Sequence, residues 1–267
     1  CFMVAFAPMN VVGQGEDNNW SFGEGVGITF NTTPPSLYSH PITQGWLVYE
    51  SMTSISDNDG NLLFYTNGLT VHQADGVVMS GGSSIKGGDD GAGVSAAQGV
   101  MIVRHGSNAN LYYIFLSVAS NANVGGAPTN FRYWTVDMSG NGGLGQVSGP
   151  TTLKTSGGSN FRPSEMGTAV MHNNGCDMWV VTRSGTGGSN TFYSYFVDEN
   201  GVSSTPVESK NVGTALNNLD EARGSLVFSN DGSKIAMVHD DFDPWTHQDA
   251  VTLLDFDNAT GTVSLSS

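Results

Sequence analysis

The sequence predicts an all-β protein, and three observations carry that reading. Glycine fills 36 of 267 positions, roughly twice the usual ~7%, while charged residues are only 12% against the ordinary ~25%. Tight turns demand Gly and Asn, and strand faces take β-branched and aromatic residues, so this composition suits many short strands. Apolar residues make up 38%, with 13 Phe, 8 Tyr and 5 Trp, enough to offset the entropy of ordering a core and to exclude intrinsic disorder. Finally, no stretch of a dozen residues keeps a helical period, whereas short apolar runs are repeatedly split by Asp-Gly and Asn-Gly turns. Nine Lys+Arg stand against 24 Asp+Glu, a net charge of −15. A nucleic-acid partner is excluded on that ground, because neutralising phosphates needs a basic footprint.

At the N-terminus, Cys1 to Ala7 is an apolar run too short to span a bilayer, broken by Pro8. With small Val11 and Gly13 before Gln14, residues 1–13 read as the remnant of a signal peptide, in preference to a buried first strand or a lipoprotein's first Cys. A chain cut there keeps Cys176 alone. It would form no intrachain disulfide, and Cys176 reads as a small buried residue between a turn and an apolar strand. No later segment approaches eighteen apolar residues, so no membrane span is expected.

The rest of the chain is organised by a repeat: an apolar strand, a tight turn, a second apolar strand, a variable loop, an aromatic strand ending in Asp or Asn, and a weaker fourth strand. In its clearest copy the strands are Gly167 to His172, Asp177 to Thr182, Thr191 to Asp198 and Val207 to Val212. Earlier copies place strands at Thr53 to Ser56 and Leu62 to Thr66, then at Val100 to Arg104, Leu111 to Val118 and Phe131 to Asp137. The last copy has Leu226 to Ser229, Lys234 to His239 and Val251 to Asp257. The turn positions Gly60, Asn108, Gly175 and Gly232 stand 48, 67 and 57 residues apart. Four-stranded units at about this spacing are the signature of β-propeller blades. Trp20 to Asn31 and Ser36 to Ile42 match only the third and fourth strands of a blade. The expected organisation is therefore a partial propeller over residues 14–267. A closing half-blade takes 18–45, and blades follow at about 46–97, 98–160, 161–217 and 218–267. The complete ring would be WD40-like with seven blades.

Several of these segments resemble the N-terminal propeller of large Bacteroidetes surface proteins secreted by the type IX system, which end in a gliding-motility-associated, type B sorting domain. The resemblance lies in Asn19-Trp20-Ser21-Phe22-Gly23 with Gly27 to Asn31, in Ile55-Ser56-Asp57 through Gly60 to Gly68, and in Asn174 to Asp177 with Trp179 to Thr182. It departs at Ser21, where an aromatic is usual, at His72 in place of Trp and at Asn230 in place of Pro. What it implies is export, contact with the secretion machinery through a C-terminal domain, and display on or release from the cell. It implies no catalytic residue.

One recurrence points to a site. Ten residues before the turn positions stand Glu50, Gln98 and Glu165, and eleven before Gly232 stands Glu221. All precede the innermost strand, so they would ring the central axis as acceptors for a cation or sugar hydroxyls. The alternative, favoured by the rule that buried polar groups are paired, is that they accept backbone hydrogen bonds from neighbouring blades. Arg162 and Arg223 share these connections and would pair with the carboxylates or bind an acidic ligand. Asp240, Asp241 and Asp243, with His247, form the densest acidic cluster, a candidate Ca²⁺ site weighed against a solvated loop. Asp57, Asp59 and Asn61 alternate like calcium ligands but lack a closing Glu and read as a hairpin turn. Asn31, Asp137, Asp198 and Asp257 close third strands as a turn device. Trp46, Tyr49 and Trp245 suit stacking on sugar rings, although strand aromatics are more often core.

The sequence has no Gly-x-Ser-x-Gly elbow, His-Glu-x-x-His pair or CxxC. The leading expectation is a secreted, non-catalytic module that binds an extracellular glycan or protein. The rivals are a glycan-active hydrolase or lyase using Glu165 and Glu221 as an acid/base pair, and a structural spacer.

Overall fold

A computed structural model of the chain describes residues 15–22, 25–39, 50–85, 96–117, 130–216, 220–239 and 250–267. These residues are all-β and form five antiparallel sheets in chain order, none closed into a barrel. Sheet A holds β1 (Asn19–Phe22), β2 (Val26–Thr29) and β3 (Ser36–Ser39). Sheet B holds β4 (Thr53–Ser56), β5 (Leu62–Thr66) and β6 (Val71–Gln73). Sheet C runs in the order of its strands, β7 (Val100–Arg104), β8 (Leu111–Leu116), β9 (Arg132–Asp137) and β10 (Gln146–Thr152). In sheet D, β11 (Pro163–Met171), β12 (Met178–Ser184) and β13 (Phe192–Asp198) are flanked by β14 (Gly201–Val202) and β15 (Val207–Ser209), both paired with β13. Sheet E comprises β16 (Gly224–Phe228), β17 (Lys234–His239), β18 (Ala250–Asp257) and β19 (Thr262–Leu265).

The hairpins form where the turn chemistry demands them. Gly60, Gly175 and Gly232 carry φ of 84°, 75° and 67°, a region that costs glycine nothing and other residues a steric penalty. Asp57 accepts hydrogen bonds from the backbone N–H of Asp59 and Asn61 at 3.0 and 2.8 Å. That turn therefore uses its carboxylate internally, as the hairpin reading requires. The strand-ending Asp residues act alike: Asp137, Asp198 and Asp257 accept from Ser139, Asn200 and Ala259 N–H. Asn31 does something else, tying sheet A to sheet B by donating to the Gly60 carbonyl at 2.6 Å.

The first strands of successive sheets touch in series, β1 to β4, β4 to β7, β7 to β11 and β11 to β16. Three apolar clusters fill the gaps between sheets. One between B and C includes Phe64, Ile114 and Trp134. A second, between C and D, is built on Phe115, Phe131 and Tyr195, and a third, between D and E, includes Met166, Trp179, Ile235 and Leu254. Sheets C and D are accordingly buried on both faces, with β8 from Tyr112 and β12 from Trp179 onward wholly buried. The A–B junction is polar instead: Asn19 donates to Ser56 Oγ at 2.9 Å and to the Gly60 carbonyl at 2.6 Å, and Ser54 Oγ donates to the Asn19 carbonyl at 2.7 Å.

Two expectations need correction. Trp20 to Asn31 is not one strand but the hairpin β1–β2, turning through Gly25 at φ 81°. Because β1 also contacts β4 as each later first strand contacts the next, β1 takes the place of a first strand in its sheet rather than a third one. Cys176 is half-buried and is not a free thiol, against the expectation of a lone unbridged cysteine. The signal-peptide residues 1–13, the acidic cluster Asp240, Asp241 and Asp243, and the aromatics Trp46, Tyr49 and Trp245 lie outside the described residues. No helix among the described residues is long and apolar enough to cross a membrane.

Candidate functional site

Two of the recurrent lead-in residues, Gln98 and Glu165, serve the backbone of neighbouring sheets where the first strands meet. Gln98 sits in the turn before β7. Its Oε1 accepts from Leu226 N–H at 2.7 Å and Gly167 N–H at 3.3 Å, and its Nε2 donates to the Leu226 carbonyl at 3.0 Å. A single carboxamide thus serves the open edge of β16 and the start of the paired part of β11, satisfying backbone groups that no neighbouring strand reaches. Glu165, 2% exposed, accepts from Ala97 N–H at 3.0 Å through Oε2, and its own carbonyl accepts from Gln98 N–H. Ser51 repeats the device one sheet earlier: its Oγ donates to the Ala96 carbonyl and accepts from Gly99 N–H at 2.7 Å. These contacts are the backbone-satisfying alternative that buried polar groups favour.

Glu221, 4% exposed in the turn Asp220–Ala222, bears electrostatically on a buried cation that sequence reasoning did not single out. Arg183 on β12 is fully buried. It donates to the Thr214 carbonyl, touches Met237 Sδ at 3.7 Å and lies 5.8 Å from the Phe192 ring centre. Burial pulls its guanidinium down to about 10, and the Glu221 charge opposes the shift. Arg162 is half-buried; desolvation lowers it, and Glu165 works the other way. Arg223 is half-buried on the lead-in to β16. Glu50 differs from the rest in being exposed, at the rim of a cavity of about 370 Å³ whose other walls include Thr53, Gln98 and Thr168. Of the residues foreseen as a ring, Gln98 and Glu165 are inter-sheet ties, Glu221 is buried, and Glu50 is the most exposed.

A second cavity, of about 380 Å³, lies at the opposite ends of these strands, where the turns of sheets B and C meet the short 3-10 turn Gly15–Asp17. Its walls carry both signs of charge: Arg104 at the end of β7, Glu16 and Asp57. Arg104 is half-buried, and Met171 Sδ stands 4.0 Å from its Nη2. Burial raises the Glu16 carboxyl above its usual range, Arg104 opposing and Asp17 adding to the shift. Tyr112 at the base is pushed up to about 12 by burial, with Glu16 and Asp57 reinforcing. His105 Nδ1 accepts from Ser107 and Asn108 N–H, both at 3.1 Å, which leaves the hydrogen of the neutral ring on Nε2. Asn58 and Asn110 add amides that both donate and accept. Of its charged residues only Asp57 was singled out from sequence, as part of a hairpin turn; Glu16 precedes the first strand and Arg104 ends one, so spacing did not bring the three together.

Among the described residues no group of three or more His, Cys, Asp and Glu side chains is placed to hold a metal ion. No protein-family model matches the chain, and no curated protein matches it. Among solved structures the chain is similar to one from Bacteroides uniformis ATCC 8492, described as a putative 6-phosphogluconolactonase, with 12% identity and a TM-score of 0.45. That likeness covers 90% of this chain and 62% of the other, so the chain spans less than two thirds of the length of the structure it matches.

Proposed function

We propose that the five sheets are consecutive blades of a β-propeller, and that the chain is a non-catalytic, glycan-binding module of a secreted surface protein. The serial contact of first strands and the apolar filling between successive sheets support the propeller reading. Export and type IX delivery enter from the sequence resemblance. Against catalysis at the axis stands the burial of Glu165 and Glu221, at 2% and 4% exposure. A carboxyl that must protonate a glycosidic oxygen has to reach the polymer, and Glu165 is spent on the Ala97 backbone instead.

The observation that carries the binding reading is the cavity around Arg104. Its volume suits one or two sugar residues, and pockets of roughly 300–1,000 Å³ with a few convergent polar groups are the usual form of a small-ligand site. Sugar hydroxyls both donate and accept, and they need the mixture offered here: guanidinium donors, the Glu16 carboxyl and amides able to do either. The test is an oligosaccharide array probed with the wild-type chain and Arg104→Ala, run beside a turnover screen with Glu165→Gln and Glu221→Gln. Retained glycans in the wild type, at least tenfold weaker for the Arg104 variant, and no turnover are the expected results. Hydrolysis abolished by either Gln variant would replace this reading with the glycan-active enzyme, and an empty array would leave the structural spacer.

A further inference from the structure

The cavity around Arg104 is walled on one side by the turn Gly15–Asp17, and a close approach of two backbones fixes that wall in place. Gly15 is buried against the hairpin turn of sheet B. Its N–H donates to the Asn58 carbonyl at 3.3 Å, and its own carbonyl accepts from Asn18 N–H at 3.0 Å. A Cβ at this position would collide with the Gly60 nitrogen and stand 2.8 Å from the Gly60 Cα and 2.9 Å from the Asn58 oxygen. Only glycine allows that seat. The next residue, Glu16, is thereby held half-buried at the cavity, and among the described residues its carboxyl makes no hydrogen bond or ion pair.

The other two charges of the cavity are placed differently. Asp57 is engaged within its own turn, accepting from Asp59 N–H, Asn61 N–H and the Asn61 amide. Arg104 stands 4.0 Å from Met171 Sδ. Tyr112, 4% exposed at the cavity floor, reports how the three charges balance. Its phenolate is disfavoured first by burial, then by Glu16 and by Asp57, and Arg104 opposes less strongly than either carboxylate. An anionic group that enters with a ligand meets the same negative balance, and the chain's net charge of −15 repels it from farther away. An uncharged sugar meets neither penalty, and its hydroxyls donate to Glu16 and accept from Arg104.

Building on the glycan-binding reading, we infer that Glu16, seated by Gly15, is the specificity-determining residue of this site and selects uncharged sugars over uronates. The test is an array that pairs oligosaccharides of glucose, galactose and mannose with the matching uronates, which differ only in the carboxylate. The wild type is expected to retain uncharged members and to leave the acids. Glu16→Gln keeps the size of the side chain and removes its charge, so it should raise retention of the acids relative to their neutral partners by roughly tenfold, the order expected of one like charge at close range. Gly15→Ala displaces the turn. Without any glycan it should therefore lower the Tyr112 transition in an ultraviolet titration as Glu16→Gln does, with circular dichroism confirming that both variants are folded. Acids retained by the wild type as well as their neutral partners, or a ratio unmoved in Glu16→Gln, overturns the inference, while binding that still depends on Arg104 leaves the glycan reading standing. A Tyr112 transition that moves in Glu16→Gln but not in Gly15→Ala overturns the part given to Gly15. An array that retains neither series overturns the glycan reading and the inference together.

Discussion

Replacing Gln98 by Ala removes one side chain that serves two sheets, and its cost can be worked from the contacts. The carboxamide makes two short bonds to Leu226, at 2.7 and 3.0 Å, and a longer one to Gly167 at 3.3 Å. Leu226 is 1% exposed, so water does not readily replace the lost partner. Counting only the Leu226 bonds, at about 1–1.5 kcal/mol each, gives about 2–3 kcal/mol. That is a rise of roughly 30- to 150-fold in the unfolding constant and, for a chain of this size, a fall in Tm of about 4–12 °C. Urea unfolding followed by tryptophan fluorescence reads it as a shift in midpoint with unchanged slope. Gln98→Glu sharpens the test, because a carboxylate keeps the acceptor but loses the donor and faces the Leu226 carbonyl. Its loss at neutral pH should match that of the Ala variant and shrink as the Glu protonates in acid. A Gln98→Ala protein within about 0.5 kcal/mol of wild type would refute the reasoning.

Three further outcomes are expected. Arg183→Met removes the donor to the Thr214 carbonyl and should cost about 1–3 kcal/mol in urea unfolding; Arg183→Lys should not restore it, since an ammonium lacks the planar fork that reaches both the Thr214 carbonyl and Met237. A loss below about 0.5 kcal/mol would mean that the Thr214 carbonyl finds another donor. The Asp231 carboxylate, accepting from Ser229 Oγ, Ser233 N–H and Ser233 Oγ, is held down at about 2. Its folded value lies below the unfolded ~3.9, so the stabilisation is complete above about pH 4 and disappears as pH falls toward 2. Carboxyl NMR should find its midpoint near 2, and Asp231→Asn should flatten the acid limb of a melting-temperature profile; a midpoint at the unfolded value would contradict this. Glu16→Gln should return the Tyr112 hydroxyl toward its ordinary value, because Glu16 reinforces the shift that burial begins. An ultraviolet titration in which the Tyr112 transition does not move would show that the carboxylate is too distant to matter.

Much of the strand pattern was legible in the sequence. The segments read as Thr53 to Ser56, Leu62 to Thr66, Val100 to Arg104 and Lys234 to His239 coincide with β4, β5, β7 and β17, since each abuts a turn whose Gly or Asx chemistry fixes where pairing starts. The β1–β2 hairpin was missed because Gly23, Gly25 and Gly27 punctuate one apolar run, and nothing local says which of them turns the chain. Inter-sheet contacts were illegible for a different reason: the Gln98–Leu226 bonds join residues 128 apart, and spacing carries no signal of that pairing. Arg183 illustrates the same limit, because a charge at the end of a strand reads as solvated until the Thr214 carbonyl, Met237 and Glu221 surround it.

The proposed division of labour has Gln98 and Glu165 hold the sheets together and the Arg104 cavity bind the glycan. One paired measurement addresses it, in which Arg104→Ala and Glu165→Ala are each examined by calorimetric titration with the best glycan from the array and by urea unfolding. Arg104→Ala should lose binding at least tenfold at wild-type stability, and Glu165→Ala should lose about 0.5–1.5 kcal/mol of stability, the net worth of its bond from the exposed Ala97 N–H, while still binding. Loss of binding in Glu165→Ala at unchanged stability, with Arg104→Ala binding normally, would contradict it.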